Sequence, residues 1–150
     1  MVWQKLAQMF QPRPSRAHIQ ILIVDHKLSD LTITKDAVLR GGFNVITASN
    51  GSEGLQSAED FKPDLVIIEA DLPDMAGHEL CGALKRRFPD HLGVIVLTRM
   101  DSPGMILDCY GQGADNYLLK PVAVKYLLKQ IELLLAEYRK LVVSSLERFI

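Results

Sequence analysis

The chain has 150 residues, 48% of them hydrophobic and 23% charged, with a formal net charge of −1. That length suffices for one domain with a full core, and the near-neutral balance gives no whole-chain attraction to nucleic acid. No apolar run approaches the ~18–20 residues of a spanning helix, no secretory leader pattern opens the chain, and Cys81 and Cys109 lack metal-ligand spacing. A reduced, cytoplasmic protein is expected.

Val2, Trp3, Leu6, Met9 and Phe10 share one face at helical spacing. Pro12 and Pro14 then break the helix in a connector made basic by Arg13 and Arg16. Residues 1–17 therefore read as an extension that docks on its own domain or on a second copy. With one lysine on the helix, contact with a membrane surface is not expected. Ile19 to Val24 form an apolar strand ending in Asp25 and His26. The next helix is expected from Ser29, whose hydroxyl would cap it, to Gly41-Gly42, with Leu31, Ile33, Ala37 and Val38 as its apolar positions. Phe43 to Ala48 read as a strand, and Asn50-Gly51 turns into a helix over 52–61.

Leu65 to Ile68 lie between Pro63 and the turn cluster Asp71–Gly77, and their unbroken apolar character suits a sheet covered on both faces. A helix over 77–88 places Leu80, Leu84 and Phe88 on one face and turns Lys85-Arg86-Arg87 toward water. Gly93 to Leu97 form a strand ending in Thr98, and Ser102-Pro103 opens a helix that stops at Gly111–Gly113. Asn116–Leu119 make the fifth strand, before Lys120-Pro121, and the last helix begins near Val122. Strands and helices alternate with short connections, which specifies an α/β doubly wound fold with a parallel sheet over 18–138.

The closing helix reads without Gly or Pro from Val124 to Phe149. Leu128, Ile131, Leu135, Tyr138, Val142, Leu146 and Phe149 recur along it at three- and four-residue steps. About 25 residues extend nearly ~38 Å, more than one domain covers. The stripe from Leu135 and Tyr138 through Val142, Leu146 and Phe149, including the extension 139–150, is expected to pair with a second copy or a partner.

A parallel sheet brings the carboxyl ends of its strands to one edge. Asp25, His26, Glu69, Thr98 and Lys120 meet there. Such a rim suits a phosphoryl group or a metal, or its charges simply neutralise one another through a Glu69–Lys120 ion pair; spacing leaves all of these open. His18, His78 and His91 share no ligand spacing, so no zinc site is expected. Nor does a nucleophile elbow, triad or glycine-rich phosphate loop appear, so the chain does not read as an enzyme.

Four blocks carry a family likeness: Ile21–Asp25; Pro63–Ile68 with Leu72–Gly77; Val94–Thr98; and Gly113–Pro121. On these the chain resembles the receiver domains of two-component response regulators, of the chemotaxis type, over residues 18–138. The resemblance implies a flavodoxin-like five-stranded sheet in the order 2-1-3-4-5. It also implies a phosphoacceptor at the end of strand three, Mg²⁺ beside it, and a switch surface around the family's fourth helix, fifth strand and fifth helix.

The chain departs from that pattern at the chemistry. The phosphoacceptor aspartate falls on Glu69, and the second acidic residue after strand one, a direct metal ligand in the family, falls on His26. Arg99 stands where a small residue usually follows the threonine, placed to cover the pocket or pair with Glu69. Ala76 replaces the aspartate that commonly precedes the loop glycine. Thr98 and Lys120 keep the phosphoryl-oxygen positions and Tyr117 the aromatic switch position, whereas Asp71 matches a residue that supplies only a backbone carbonyl.

Mg²⁺ takes oxygen ligands in near-ideal octahedra, so imidazole substitutes poorly and Mg²⁺ binding is expected to be weak or absent, with no cofactor. The expectation is an atypical response regulator, a pseudo-receiver. It would act through protein contacts without phosphorylation, as a homodimer through the C-terminal helix, with Glu69 holding Lys120, and Thr98 or Arg99, in an activated-like arrangement. Two alternatives stand beside it. One is a receiver that still accepts a phosphoryl group or binds metal, His26 joining Asp25 and Glu69 for a transition ion. The other is the regulatory piece of a larger transcription factor or enzyme.

Overall fold

A computed structural model describes residues 2–9 and 16–138. Its strands are β1 (Gln20–Val24), β2 (Asn44–Ala48), β3 (Leu65–Ile68), β4 (Gly93–Thr98) and β5 (Asn116–Leu119). Its helices are α1 (Val2–Met9), α2 (Leu28–Arg40), α3 (Gly51–Phe61), α4 (Gly77–Arg87), α5 (Pro103–Gly111) and α6 (Val124–Glu137). The sheet is parallel throughout, in the order β2-β1-β3-β4-β5. This is the doubly wound architecture that the apolar runs and the resemblance imply.

The three central strands, β1, β3 and β4, are buried on both faces because successive side chains alternate between two cores, while the edge strands β2 and β5 are partly exposed. Leu22, Val24, Val66, Ile68, Val94 and Val96 pack with Ala58, Leu80, Leu84 and Cys109. Ile21, Ile23, Leu65, Ile67, Ile95 and Leu97 pack on the other side with Ala37, Val38, Leu127, Ile131 and Leu135. Val24 stands opposite Ile68, and Ile68 opposite Val96, so the residues that follow emerge at one rim. Cys81 and Cys109 are buried free thiols, and burial pushes them up to about 12 and about 11. They are packing residues without reactive thiolate. No helix among the described residues is long and apolar enough to cross a membrane.

Several local expectations change. Helix α2 begins at Leu28, with Lys27 as a cap residue that offers no side-chain bond. Ser29 therefore lies inside the helix, because the Asp25 carboxylate accepts the Lys27 N–H at 3.0 Å and turns the chain earlier. Ile33 is exposed. Lys85 is not in water: its ammonium donates to the Leu92 carbonyl, Asp115 and the Tyr138 hydroxyl, each at 2.8 Å.

The stripe on the closing helix also turns out differently. Leu135 is buried in its own core, and Tyr138 is tied to Lys85 and Asp115 of the same chain. Leu135 therefore offers no face to a second copy, while half-buried Tyr138 has its hydroxyl engaged within the chain. Val142, Leu146 and Phe149 lie outside the described residues. At the other terminus, Val2 and Trp3 are exposed rather than docked on the domain, and Leu6 is half-buried. Arg16 nonetheless fastens the end of the connector: it donates to the Gly41 carbonyl at 3.2 Å, pairs with Glu132 and lies over the Phe43 ring.

Candidate functional site

At the carboxyl ends of the strands, the backbone sets four functional groups around one point. Asp25 follows β1, Glu69 follows β3, Thr98 ends β4 and Lys120 follows β5. All four are buried or nearly so. The loop after β3 is pressed against Glu69. A Cβ at Gly77 would lie 2.6 Å from the Glu69 carbonyl oxygen, so only glycine permits this close return. Asp74 holds the same loop to the start of α3, accepting from the Gly51 and Ser52 N–H groups at 2.7 and 2.9 Å. Those donors are the unpaired amides that open a helix.

The Lys120 ammonium sits among three carboxylates. Its Nζ lies 2.6 Å from Glu69 Oε2, 2.7 Å from Asp25 Oδ2 and 3.1 Å from Asp30 Oδ2, with 6% of its side chain exposed. Burial opposes its charge, but the bonds to Asp25 and Glu69 prevail and hold its pKa above the ordinary value. Glu69 Oε1 accepts from the Thr98 hydroxyl and, at 3.3 Å, from the Asp71 N–H.

Asp30 is the residue that sequence reasoning missed. It lies in the first turn of α2, is buried, and pairs with Arg99 through both oxygens, at 2.5 and 3.2 Å. The Arg99 bond, aided by Lys120 and opposed by burial, holds its carboxyl at about 2. Arg99 thus reaches Asp30 and not Glu69 as one expectation had it. His26 is exposed and is not part of the converging carboxylate group. It lines a cleft of about 120 Å³ with Lys27, Asp30, Glu69, Asp71, Thr98, Arg99 and Met100.

A chain of hydrogen bonds leaves Glu69 toward the far end of the sheet. The Thr98 hydroxyl that donates to Glu69 also accepts from the Met100 N–H at 3.2 Å. The Met100 carbonyl in turn accepts from the Tyr117 hydroxyl at 2.6 Å. Burial raises that phenol to about 12. Glu69 and Tyr117 are therefore linked through Thr98 and Met100.

Carboxylate oxygens are the donors Mg²⁺ takes, and those of Asp25, Asp30 and Glu69 converge within 4.8 Å. Each already receives a donor from the chain. Asp25 has Lys27 and Lys120, Asp30 has Arg99 and Lys120, and Glu69 has Thr98, Asp71 and Lys120. As arranged, the Lys120 ammonium takes an oxygen of each of the three carboxylates.

Residues 21–132 match the family described as the response regulator receiver domain. The chain belongs to that family. It is 34% identical over 119 residues to the alkaline phosphatase synthesis transcriptional regulatory protein PhoP of Bacillus subtilis, a match covering 77% of this chain and 48% of that one. It is 30% identical over 115 residues to the chemotaxis protein CheY of Listeria monocytogenes, covering 76% of this chain and 96% of that one. A solved CheY-like receiver domain from Methanospirillum hungatei superimposes with a TM-score of 0.77 at 33% identity, over 81% of this chain and 97% of that one. The chain thus spans about half the length of PhoP and nearly all of the chemotaxis protein. It is a receiver domain of two-component signalling, with a glutamate after β3 and a histidine after Asp25.

Proposed function

We propose that this receiver is a pseudo-receiver: a signalling module, not a catalyst, that works through protein contacts without being phosphorylated. The observation that carries the reading is Glu69 engaging Lys120 with one oxygen and Thr98 with the other. A carboxylate one methylene longer than aspartate reaches two groups that a phosphoryl oxygen would engage. It carries less charge and fewer acceptors than phosphate, and the Thr98–Met100–Tyr117 links extend its hold toward α5 and β5. Phosphoryl transfer needs a metal to offset developing charge and a correctly placed nucleophile. Here the metal-ligand position is His26 and the carboxylates are spent on Lys120 and Arg99.

The output face is that of α5, β5 and α6, where Leu107, Tyr110, Leu119, Tyr126 and Leu133 are exposed. Apolar side chains gathered on adjacent elements suit a protein partner. Assembly through the C-terminal segment rests on Val142, Leu146 and Phe149, since Leu135 and Tyr138 are used within the domain. The match to only half of PhoP favours a second reading, in which the same switch regulates a larger transcription factor.

Intact-mass measurement after incubation with an acyl phosphate and Mg²⁺ tests the proposal. An unchanged mass is expected for the native chain. Gain of one phosphoryl group would overturn the pseudo-receiver reading.

A further inference from the structure

The relay from Glu69 to Tyr117 passes through the β4–α5 loop, and a second contact grips that loop between its two relay points. Thr98 and Met100 carry the relay bonds. Arg99, between them, pairs with Asp30 of α2 through both carboxylate oxygens. Asp30 is itself held from the other side by Lys120 at 3.1 Å. The arginine side chain is 56% exposed while Asp30 is 8% exposed, so a surface group is anchored on a buried one. A planar guanidinium bound through two nitrogens fixes direction as well as distance.

We propose that Asp30 and Arg99 are positioning residues for Tyr117: their ion pair pins the loop so that the Met100 carbonyl stays on the Tyr117 hydroxyl. This deepens the pseudo-receiver reading and rests on it, giving the switch two holds, Glu69 through Thr98 and Asp30 through Arg99. Neither residue touches Tyr117; both act through the backbone of one loop. The arrangement also explains why an arginine stands beside Thr98. A small side chain there leaves Asp30 buried with Lys120 alone and leaves the loop free of α2.

The test uses the full chain labelled with ¹³C in its tyrosine rings, the Tyr117 resonance being assigned with Tyr117→Phe. Arg99→Ala and Asp30→Asn are expected to shift or split that resonance and to speed nitration of Tyr117 several-fold. Arg99→Lys, which keeps a cation for Asp30, is expected to stay closer to the native chain on both readouts. A role confined to stability would lower the melting temperature and leave the native-state Tyr117 signal in place. Should Asp30→Asn fail to fold, the exposed Arg99 substitutions decide the matter alone. An unmoved Tyr117 signal in folded Arg99→Ala overturns the inference. That failure is distinct from failure of the pseudo-receiver reading, which Glu69→Gln probes on the same resonance: a shift with Glu69→Gln and none with Arg99→Ala removes only the second hold.

Discussion

Replacing Lys120 with alanine removes the ammonium shared by Asp25, Asp30 and Glu69, leaving those buried carboxylates with the Arg99–Asp30 pair as their described ion contact. Breaking a buried ion pair by deleting one partner costs about 3–5 kcal/mol, because the surviving charge stays desolvated. Three carboxylates share this cation, so the loss falls at the upper part of that range at neutral pH. For a domain of this size each kcal/mol moves the melting temperature by roughly 2–4 °C, so a loss of about 4–5 kcal/mol gives a drop of about 8–20 °C. Thermal and urea unfolding at neutral pH measure it. Two dependences accompany the loss. The gap to the native chain narrows as pH falls, since crowded carboxylates without a counter-ion take up protons. Millimolar Mg²⁺ raises the melting temperature of Lys120→Ala more than that of the native chain, because the freed oxygens can then be shared with a divalent ion. A variant within ~1 kcal/mol of native, the scale of an exposed pair, or one indifferent to Mg²⁺, refutes the placement of Lys120 as the resident cation.

Other predictions follow from single contacts. Asp30 titrates near 2 when folded against an ordinary 3.8, so its lowered pKa stabilises the fold above pH ~4 and that contribution is lost as pH falls toward ~2. Asp30→Asn should flatten the acid limb of the melting curve in that window, as followed by circular dichroism. Gly77→Ala drives a Cβ to 2.6 Å from the Glu69 carbonyl and 2.7 Å from the Ala70 Cα. It should cost about 1–3 kcal/mol as overpacking and displace the Glu69 backbone amide resonance. Tyr138→Phe removes a hydroxyl bonded to Lys85 and Asp115 and should cost about 1 kcal/mol in urea unfolding. Leu146→Glu tests assembly through the C-terminal segment: light scattering should report a dimer for the native chain and a monomer for the variant.

The fold was legible because buried parallel strands read as unbroken apolar runs, and Leu65–Ile68 between Pro63 and the Asp71–Gly77 turn is the clearest case. Asn50 and Ser102 cap α3 and α5 through their side chains, as their residue types suggest. The start of α2 was not legible, because its turn is made by the side chain of Asp25 and not by a local capping residue. Glu69, Lys120, Thr98 and Asp25 meet as their strand ends imply. Asp30 escaped because an acid in the first turn of a helix ordinarily faces water and complements the helix dipole. The available signal was its place five residues after Asp25 on the helix that caps the same rim, with an unexplained arginine after Thr98. Lys85 was hidden in the same way, in a run of three cations of which only Arg86 and Arg87 are exposed. Leu135 and Tyr138 belong to a stripe whose periodicity says which side chains share a face but not which body covers it. The domain's own Lys85, Asp115 and core take them.

Whether Glu69 holds the switch without phosphate is reported most directly by the ring resonance of Tyr117. Recorded before and after addition of an acyl phosphate with Mg²⁺, that resonance should stay at one position in the native chain; in Glu69→Gln, which weakens the hold on Lys120 and Thr98, it should differ from the native position with or without the phosphodonor. A native Tyr117 signal that shifts on addition of phosphodonor and Mg²⁺ would contradict the account.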